Sequence, residues 1–274
     1  IVRGLLDDGL PQNIDFQYQK KGRAKFTKYN PTIPKGTSEE LMWLFGIYQG
    51  DGYCEKGQNG GWSRVYFAVP PRDRARNKLE QVLKKLFNIV PRPKGICVTV
   101  PSVILSHFIK HMGFGGRANE KRVPDWIYGL PRQQKLAFIE GYLDSDGSIV
   151  HRKEKNGILY GQIVFASVNK LLLEDMKMLM IDTGLNPLNI STYTKFRNLY
   201  KGKWKNYTCH FLTMNIRGNL QQIRDKTNTN SVIEFVRVRE IEKQGVEDVY
   251  DLEIEGMRNF IANGIIVHNS RITM

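Results

Sequence analysis

Apolar and polar residues alternate along the chain with two different periods, and these periods follow one another in the same order twice. From residue 37 to residue 130 a helical pattern is followed by two strand patterns, a helical pattern, a further strand pattern and a helical pattern. The same order restarts near residue 132 and ends near residue 225. The pattern therefore predicts an α+β chain with an internal duplication.

The individual elements can be assigned from this periodicity. The predicted helices cover residues 41–50, 73–87, 102–112, 123–128, 132–145, 170–183 and 217–225. The predicted strands cover residues 53–54, 62–69, 96–100, 148–152, 158–168, 188–196 and 204–215. Beyond residue 230 the composition changes, and the strand patterns at 232–241, 249–254, 260–262 and 265–267 indicate a β-rich segment with an Asn263-Gly264 hairpin turn.

One short motif opens each half of the duplication, as LFGIYQGDG at residues 44–52 and as FIEGYLDSDG at residues 138–147. Each copy has two small residues four positions apart, on one face of a helix. These residues are Gly46 and Gly50 in the first copy and Gly141 and Ser145 in the second. Because small residues let backbones approach closely, we predict that the two helices form a central interface.

Both motifs end in Asp-Gly, and the matching aspartates Asp51 and Asp146 lie 95 residues apart. We expect each following glycine to end its helix in the left-handed conformation that other residues avoid. Helices packed side by side would bring the two carboxylates together, and paired carboxylates suit Mg²⁺ binding and phosphodiester hydrolysis. The alternative is two unrelated aspartates that end separate helices.

The charge distribution favours a nucleic-acid partner. The chain has 41 Lys and Arg against 27 Asp and Glu, a net charge of +14, and residues 38–230 alone carry +13. Three widely spaced cysteines suit a reducing compartment. No apolar run approaches the roughly 18 residues of a membrane helix, and no signal peptide is visible. We therefore expect a cytoplasmic or nucleoid-associated protein.

Alternate residues of the strands after each motif are candidates for contact with DNA, since every second side chain shares a face. The candidates are Arg64 and Tyr66 in the first half and Tyr160, Gln162, Lys195, Arg197 and Lys203 in the second. A solvated basic face is the alternative. Residues 1–37, with interleaved basic and aromatic side chains, are either an exposed linker or an arm that contacts phosphates.

The two motifs resemble those of the LAGLIDADG homing endonucleases. The matching residues are Leu44, Gly46, Asp51 and Gly52 in the first copy and Gly141, Asp144, Asp146 and Gly147 in the second, whereas Gln49 and Glu140 depart from the pattern. The resemblance implies two pseudo-symmetric αββαββα repeats with saddle-shaped antiparallel sheets around a central two-helix interface. It also implies a monomeric nuclease that cleaves double-stranded DNA at a long asymmetric site.

The same resemblance implies the composition of the catalytic site. Two or three divalent ions, Mg²⁺, are expected at Asp51 and Asp146, with the backbone carbonyls of Gly50 and Ser145 nearby. Basic or polar residues are expected beside these ions. Lys94 and Arg217, at comparable places in the two halves, are candidates for that role and for DNA contact.

A second resemblance covers residues 249–270, VYDLEIEGMRNFIANGIIVHNS, which look like the C-terminal segment of an intein with a Hedgehog/intein-type splicing fold. It implies autocatalytic cleavage, in which the Asn269 amide attacks its own carbonyl and breaks the bond to Ser270. His268 would assist this step, and Ser270 would be the acyl acceptor. The region before the first motif has neither the nucleophilic Cys or Ser that begins an intein nor the Thr-x-x-His segment that follows it. We therefore expect splicing to require a separate N-terminal half.

These observations define an expected domain organisation. It consists of a basic arm or linker at 1–37, repeats at 38–130 and 131–230, a C-terminal splicing segment at 231–269 and the start of a host sequence at 270–274. Two alternatives to an active nuclease remain open. One is a non-enzymatic nucleic-acid binder of the same fold, as in maturases or regulators. The other is a split-intein partner whose nuclease is inactive.

Overall fold

A computed structural model describes most of the chain. The described residues are 14–18, 31–57, 61–153, 159–200, 203–216, 219–226, 240, 242, 245, 259–262 and 265–268. Backbone alone is described at residues 62, 152–153, 159–160, 195–200, 203–205, 259–262 and 265–268. The chain divides into two compact units, Leu6–Asn228 and a second unit of Ile1–Leu5 with Thr229–Met274.

The first repeat contains three helices and a four-stranded sheet. Its elements in order are α1 (Glu39–Asp51), β1 (Gly52–Lys56), β2 (Trp62–Phe67), α2 (Ala75–Phe87), β3 (Arg92–Lys94), β4 (Cys97–Val100) and α3 (Val103–His111). The strands lie in the order β1-β2-β4-β3, and each neighbouring pair is antiparallel. A 3-10 turn, Asp125–Gly129, precedes the second repeat.

The second repeat has the same order of elements. They are α4 (Arg132–Asp146), β5 (Gly147–Lys153), β6 (Leu159–Ser167), α5 (Lys170–Asp182), β7 (Ser191–Tyr200), β8 (Lys203–Asn215) and α6 (Asn219–Asp225). Its sheet order, β5-β6-β8-β7, repeats that of the first sheet, again with antiparallel neighbours. The predicted α+β fold of two αββαββα repeats is therefore confirmed.

Helix α1 is buried because it lies at the centre of the first unit. Ser38 caps it, since its hydroxyl accepts a hydrogen bond from the Leu41 amide at 3.2 Å. Every residue from 41 to 49 is buried, and α4 is buried from residue 135 to residue 143. A helix that is apolar around its whole circumference, as α1 is over these residues, is stable only inside a protein. Each of these helices is covered by its own sheet and by the other helix.

The central two-helix interface is confirmed, and its close approach depends on glycine. A Cβ atom placed on Gly46 would lie 2.1 Å from the carbonyl oxygen of Phe138. A Cβ placed on Gly141 would lie 2.0 Å from the carbonyl oxygen of Trp43. Both distances are far below van der Waals contact, so backbone packs directly on backbone at these two points.

Glu140, which departs from the motif pattern, joins the two repeats through ion pairs. Its buried carboxylate accepts hydrogen bonds from Lys78 at 3.0 Å, Arg224 at 3.2 Å and Lys226 at 3.0 Å. Burial alone would raise the pKa of Glu140, but Lys78 and Lys226 hold it below its ordinary value. Lys78 belongs to α2, whereas Arg224 and Lys226 lie in and after α6. The carboxylate therefore links helices of both repeats to α4.

One expectation for the first repeat differs from the structure. The resemblance implied a fourth strand in this repeat, but periodicity did not locate β3 at Arg92–Lys94, because its three residues are exposed and include a proline. The described part of the basic arm is not free: the ring of Phe16 packs against Phe108 and His111 of α3.

Within the described residues, no helix is both long and apolar enough to cross a membrane.

In the second unit the described strands are β9 (Asn259–Ala262) and β10 (Ile265–His268). They pair antiparallel, with Ile265 opposite Ala262, as the Asn-Gly turn predicted. Apart from residue 240, the strands predicted at 232–241 and 249–254 lie outside the described residues.

Candidate active site

The two predicted aspartates are the last residues of the two central helices. Asp51 ends α1 and Asp146 ends α4, and a strand begins at the next residue in each case. A Cβ atom placed on Gly50 would lie 3.2 Å from the carboxyl carbon of Asp146 and 2.2 Å from the hydroxyl oxygen of Ser145. The close packing of α1 and α4 therefore places the two carboxylates in one site.

The glycines after the aspartates do not have the left-handed conformation that we expected. Gly52 and Gly147 both have φ of −91°, which is extended backbone open to any residue. Their role is close approach: a Cβ on Gly52 would lie 2.2 Å from the ring of Tyr48, and one on Gly147 would lie 2.5 Å from the carbonyl oxygen of Leu143. The chain passes directly from helix to strand, so space rather than φ requires glycine.

A buried lysine that the sequence did not indicate completes the site. The Lys121 ammonium donates to the carbonyl oxygens of Tyr48, Gln49, Gly50 and Gly52 at 3.1, 2.8, 2.9 and 2.9 Å. These oxygens surround the C-terminus of α1, where the helix dipole is negative. Lys121 therefore caps the helix that carries Asp51, and Gly50, one of the predicted metal ligands, is among its acceptors.

The electrostatics of the three charged groups are coupled. Burial and the nearby charge of Asp146 raise the pKa of Asp51 to about 7, although Lys121 opposes the rise. Asp146 is the more exposed carboxylate. Its pKa is nevertheless raised, because the surrounding protein removes water from the carboxylate, and Lys121 again opposes the rise. Burial lowers the pKa of Lys121 to about 8, although both carboxylates favour its charged form. Two like charges, one of them partly buried, thus share one site.

The internal duplication gives no signal that points to Lys121. Arg217 precedes α6, whereas Lys121 follows α3, the counterpart of α6 in the first repeat. Arg217 itself lies outside the described residues. Lys94 lies on β3, where its ammonium is 3.2 Å from the Tyr66 hydroxyl.

The open face of the first sheet carries the DNA-contact candidates of the first repeat. Arg64 is opposite Glu55, and Tyr66 is opposite Tyr53, so these four side chains share one face. Tyr53 stacks on Tyr66 with ring centroids 4.6 Å apart. Tyr66 is only 3% exposed, whereas Tyr53 is 45% exposed. Tyr53 and Arg64 are therefore more accessible to a partner than Tyr66.

The second sheet presents a different surface. Gln162 lies on the face opposite the buried Ile163 and Phe165, together with the 61% exposed Tyr193 of β7. The backbones of Tyr160, Lys195, Arg197 and Lys203 lie in β6, β7 and β8, but their side chains are outside the described part.

In the other unit, His268 ends β10, and Asn269 and Ser270 lie beyond the described residues.

A family model described as the intein splicing domain matches residues 68–269 of this chain. The chain belongs to the intein splicing domain family. The match includes the second motif and ends at Asn269, the residue predicted to cyclise. It confirms the resemblance of residues 249–269 to an intein.

Two curated proteins that are similar in sequence to this chain are named for different functions. This intein is 28% identical over 267 residues to an iron-sulfur cluster assembly SufBD family protein of Mycobacterium leprae, covering 88% of this chain and 30% of that protein. It is 26% identical over 261 residues to a DNA polymerase of Thermococcus hydrothermalis, covering 84% of this chain and 15% of the polymerase. The chain therefore spans less than a third of either relative, and the similarity belongs to a segment that two different proteins share.

Similar solved structures include variants of the homing endonuclease I-DmoI, at a TM-score of 0.43 and 17% identity, covering 69% of this chain and 97% of that one. The LAGLIDADG meganuclease I-AabMI bound to uncleaved DNA gives a TM-score of 0.41 at 12% identity, with coverages of 68% and 83%.

Proposed function

We propose that this intein cleaves double-stranded DNA at one long, asymmetric site by Mg²⁺-dependent phosphodiester hydrolysis. The observation that carries the proposal is the meeting of Asp51 and Asp146, one from each repeat, beside the buried ammonium of Lys121. A protein that only binds DNA would gain nothing from two carboxylates with raised pKa values at the ends of packed helices.

The residues at the site fit a divalent cation. The carboxylates of Asp51 and Asp146 are the hard oxygen donors that Mg²⁺ prefers, and the Gly50 carbonyl, which accepts from Lys121, has a second lone pair for a cation. A cation would stabilise the two neighbouring like charges, and we propose two or three ions, with the Ser145 carbonyl as a further donor. When bound, such ions activate water and neutralise charge on a phosphate.

The residues of the chain itself have separate roles in this mechanism. Asp51 and Asp146 would each hold a cation, and each carboxylate would orient the attacking water toward one DNA strand. Lys121 fixes the last turn of α1, and its charge limits the repulsion between the carboxylates. Because one chain supplies both aspartates, the nuclease needs no second copy and acts as a monomer.

The DNA would lie across the two open sheet faces. The face with Tyr53, Glu55 and Arg64 differs from the face with Gln162 and Tyr193, so the two half-sites should differ in sequence. The net charge of +13 on residues 38–230 would supply phosphate contacts.

A cleavage assay tests this function. We expect the protein to linearise a subset of a randomised plasmid library in Mg²⁺, and EDTA to stop the reaction. Sequencing of the ends should give one asymmetric site. Specific binding without cutting in Mg²⁺ or Mn²⁺ would instead establish a DNA-binding protein with an inactive nuclease.

Splicing is the second proposed activity, favoured by the family match that ends at Asn269. The side-chain nitrogen of Asn269 would attack the backbone carbonyl carbon of the same residue and close a succinimide. The peptide bond to Ser270 would break, and the released amine would take up the proton that the attacking nitrogen loses. An N-terminal splicing segment would supply the first nucleophile, and Ser270 would accept the acyl group.

Asn269→Ala should block this release completely, because alanine has no amide to cyclise. The intein would be coexpressed with a tagged N-terminal splicing segment of an intein, and products would be identified by mass spectrometry. Wild type should give a ligated product and Asn269→Ala none, whereas Asn263→Ala, in the hairpin turn, should still ligate. Cleavage before Ser270 in the Asn269→Ala protein would contradict the mechanism.

A further inference from the structure

The segment that carries Lys121 is anchored by the second repeat, although its ammonium acts on the first. Asn169 is the N-cap of α5 and is only 6% exposed. Its amide nitrogen donates to the backbone carbonyl of Lys121 at 2.6 Å, while its side-chain oxygen accepts from the Leu172 amide at 3.2 Å. One side chain therefore both starts α5 and holds the backbone of Lys121.

A second residue of α5 anchors the two positions that follow Lys121. Asp175 is 3% exposed and accepts two hydrogen bonds from the Arg122 guanidinium, at 2.6 and 2.8 Å. It also accepts the Val123 amide at 3.2 Å. The Arg122 side chain is about half exposed, but its bidentate pairing with a buried carboxylate still restricts the distance and the orientation of the main chain. Residues 121–123 are thus attached to α5 at three consecutive positions.

This anchoring matters because a lysine side chain is long and flexible. Four rotatable bonds separate the Lys121 backbone from its ammonium, whose three hydrogens serve four carbonyl acceptors. A shift of about 1 Å in the backbone would break some of these bonds and move the charge from the carboxylates. Groups that orient a functional residue typically change activity by about 10–100-fold when removed.

We propose that Asn169 and Asp175 are positioning residues for Lys121, so that α5 of the second repeat sets the geometry at the end of α1 in the first. The inference rests on the proposed nuclease function for its catalytic consequence, but not for its structural one. It couples the two halves: neither repeat alone can form the complete site around Asp51.

Asn169→Ser separates the two roles of Asn169. Serine keeps an oxygen that caps α5 but lacks the nitrogen that reaches Lys121. We expect the single-turnover cleavage rate to fall by about 10-fold or more, with the Kd for DNA within twofold of wild type and little change in Tm. The matched control is Asp182→Asn, which weakens a different ion pair of α5, with Lys135, and should leave the rate unchanged.

A double-mutant cycle tests whether the effect passes through Lys121. Lys121→Met should itself lower the rate strongly, and Asn169→Ser should then add less than twofold in that background. If the two rate losses multiply in full, Asn169 acts independently of Lys121 and the proposal is overturned.

Chemical labelling gives a readout that does not depend on cleavage. Lys121 is 7% exposed and should react slowly with an acetylating reagent, whereas the exposed Lys84 reacts fast. Asn169→Ser should raise the labelling rate of Lys121 at least fivefold and leave Lys84 unchanged; an unchanged Lys121 rate would refute the anchoring. If wild type labels as expected but cuts no DNA, the nuclease function fails while the anchoring stands.

Discussion

Asp51→Asn and Asp146→Asn should each abolish double-strand cleavage, with a loss of about 10³-fold in rate, while DNA binding is retained. Asparagine has the shape of aspartate but no charge, so it binds a divalent cation poorly and cannot take a proton from water. The sheet faces that would bind DNA are unchanged by either substitution. Single-turnover cleavage on the selected site, with DNA affinity measured in Ca²⁺, checks both parts of the prediction.

Asp144→Asn provides the matched control, because it removes a carboxylate two residues from Asp146. The Asp144 carboxylate accepts a hydrogen bond from the Trp43 indole at 2.9 Å and pairs with Arg224 at 2.7 Å. An asparagine there can still accept from Trp43, so cleavage should stay near the wild-type rate. Undiminished cutting by either Asp51→Asn or Asp146→Asn would show that the paired carboxylates are not the catalytic groups.

The repeated motif made much of this architecture predictable. Small residues at positions 46 and 141 and aspartates at 51 and 146 specify where two helices touch and where they end. Because the motif occurs twice with the same succession of elements, the sheet order of one repeat reappears in the other. Periodicity failed at Arg92–Lys94, where pairing with β4, rather than any preference of the three residues, makes the strand.

Lys121 was not predictable from local pattern. It lies between α3 and the 3-10 turn, in a segment without helical or strand periodicity, and 69 residues separate it from its acceptor Gly52. A lysine in such a segment is ordinarily exposed. Here four carbonyl oxygens at a helix end compensate for its burial, an environment that exists only after both repeats have folded.

Gly141→Ala should cause the largest loss of stability. An added methyl carbon at this position would lie 2.0 Å from the carbonyl oxygen of Trp43 and 2.9 Å from the Ile47 nitrogen. Alanine favours the helix by about 1 kcal/mol over glycine. Overpacking in a core costs about 1–3 kcal/mol or more, and it is worst here because backbone atoms cannot rotate away as a side chain would. The steric cost should therefore exceed the gain in helix propensity.

The expected net destabilisation by Gly141→Ala is about 2 kcal/mol or more, which corresponds to a fall in Tm of roughly 4–8 °C for a unit of this size. Gly61→Ala is the control, since a Cβ at Gly61 meets no atom within 4 Å. Thermal and urea unfolding of both variants measure the difference. Cleavage should fall in the Gly141→Ala protein as well, because helices forced apart no longer hold Asp51 beside Asp146. A wild-type Tm for Gly141→Ala would mean that α1 and α4 have room to separate. The close backbone contact would then not explain how the two carboxylates are brought together.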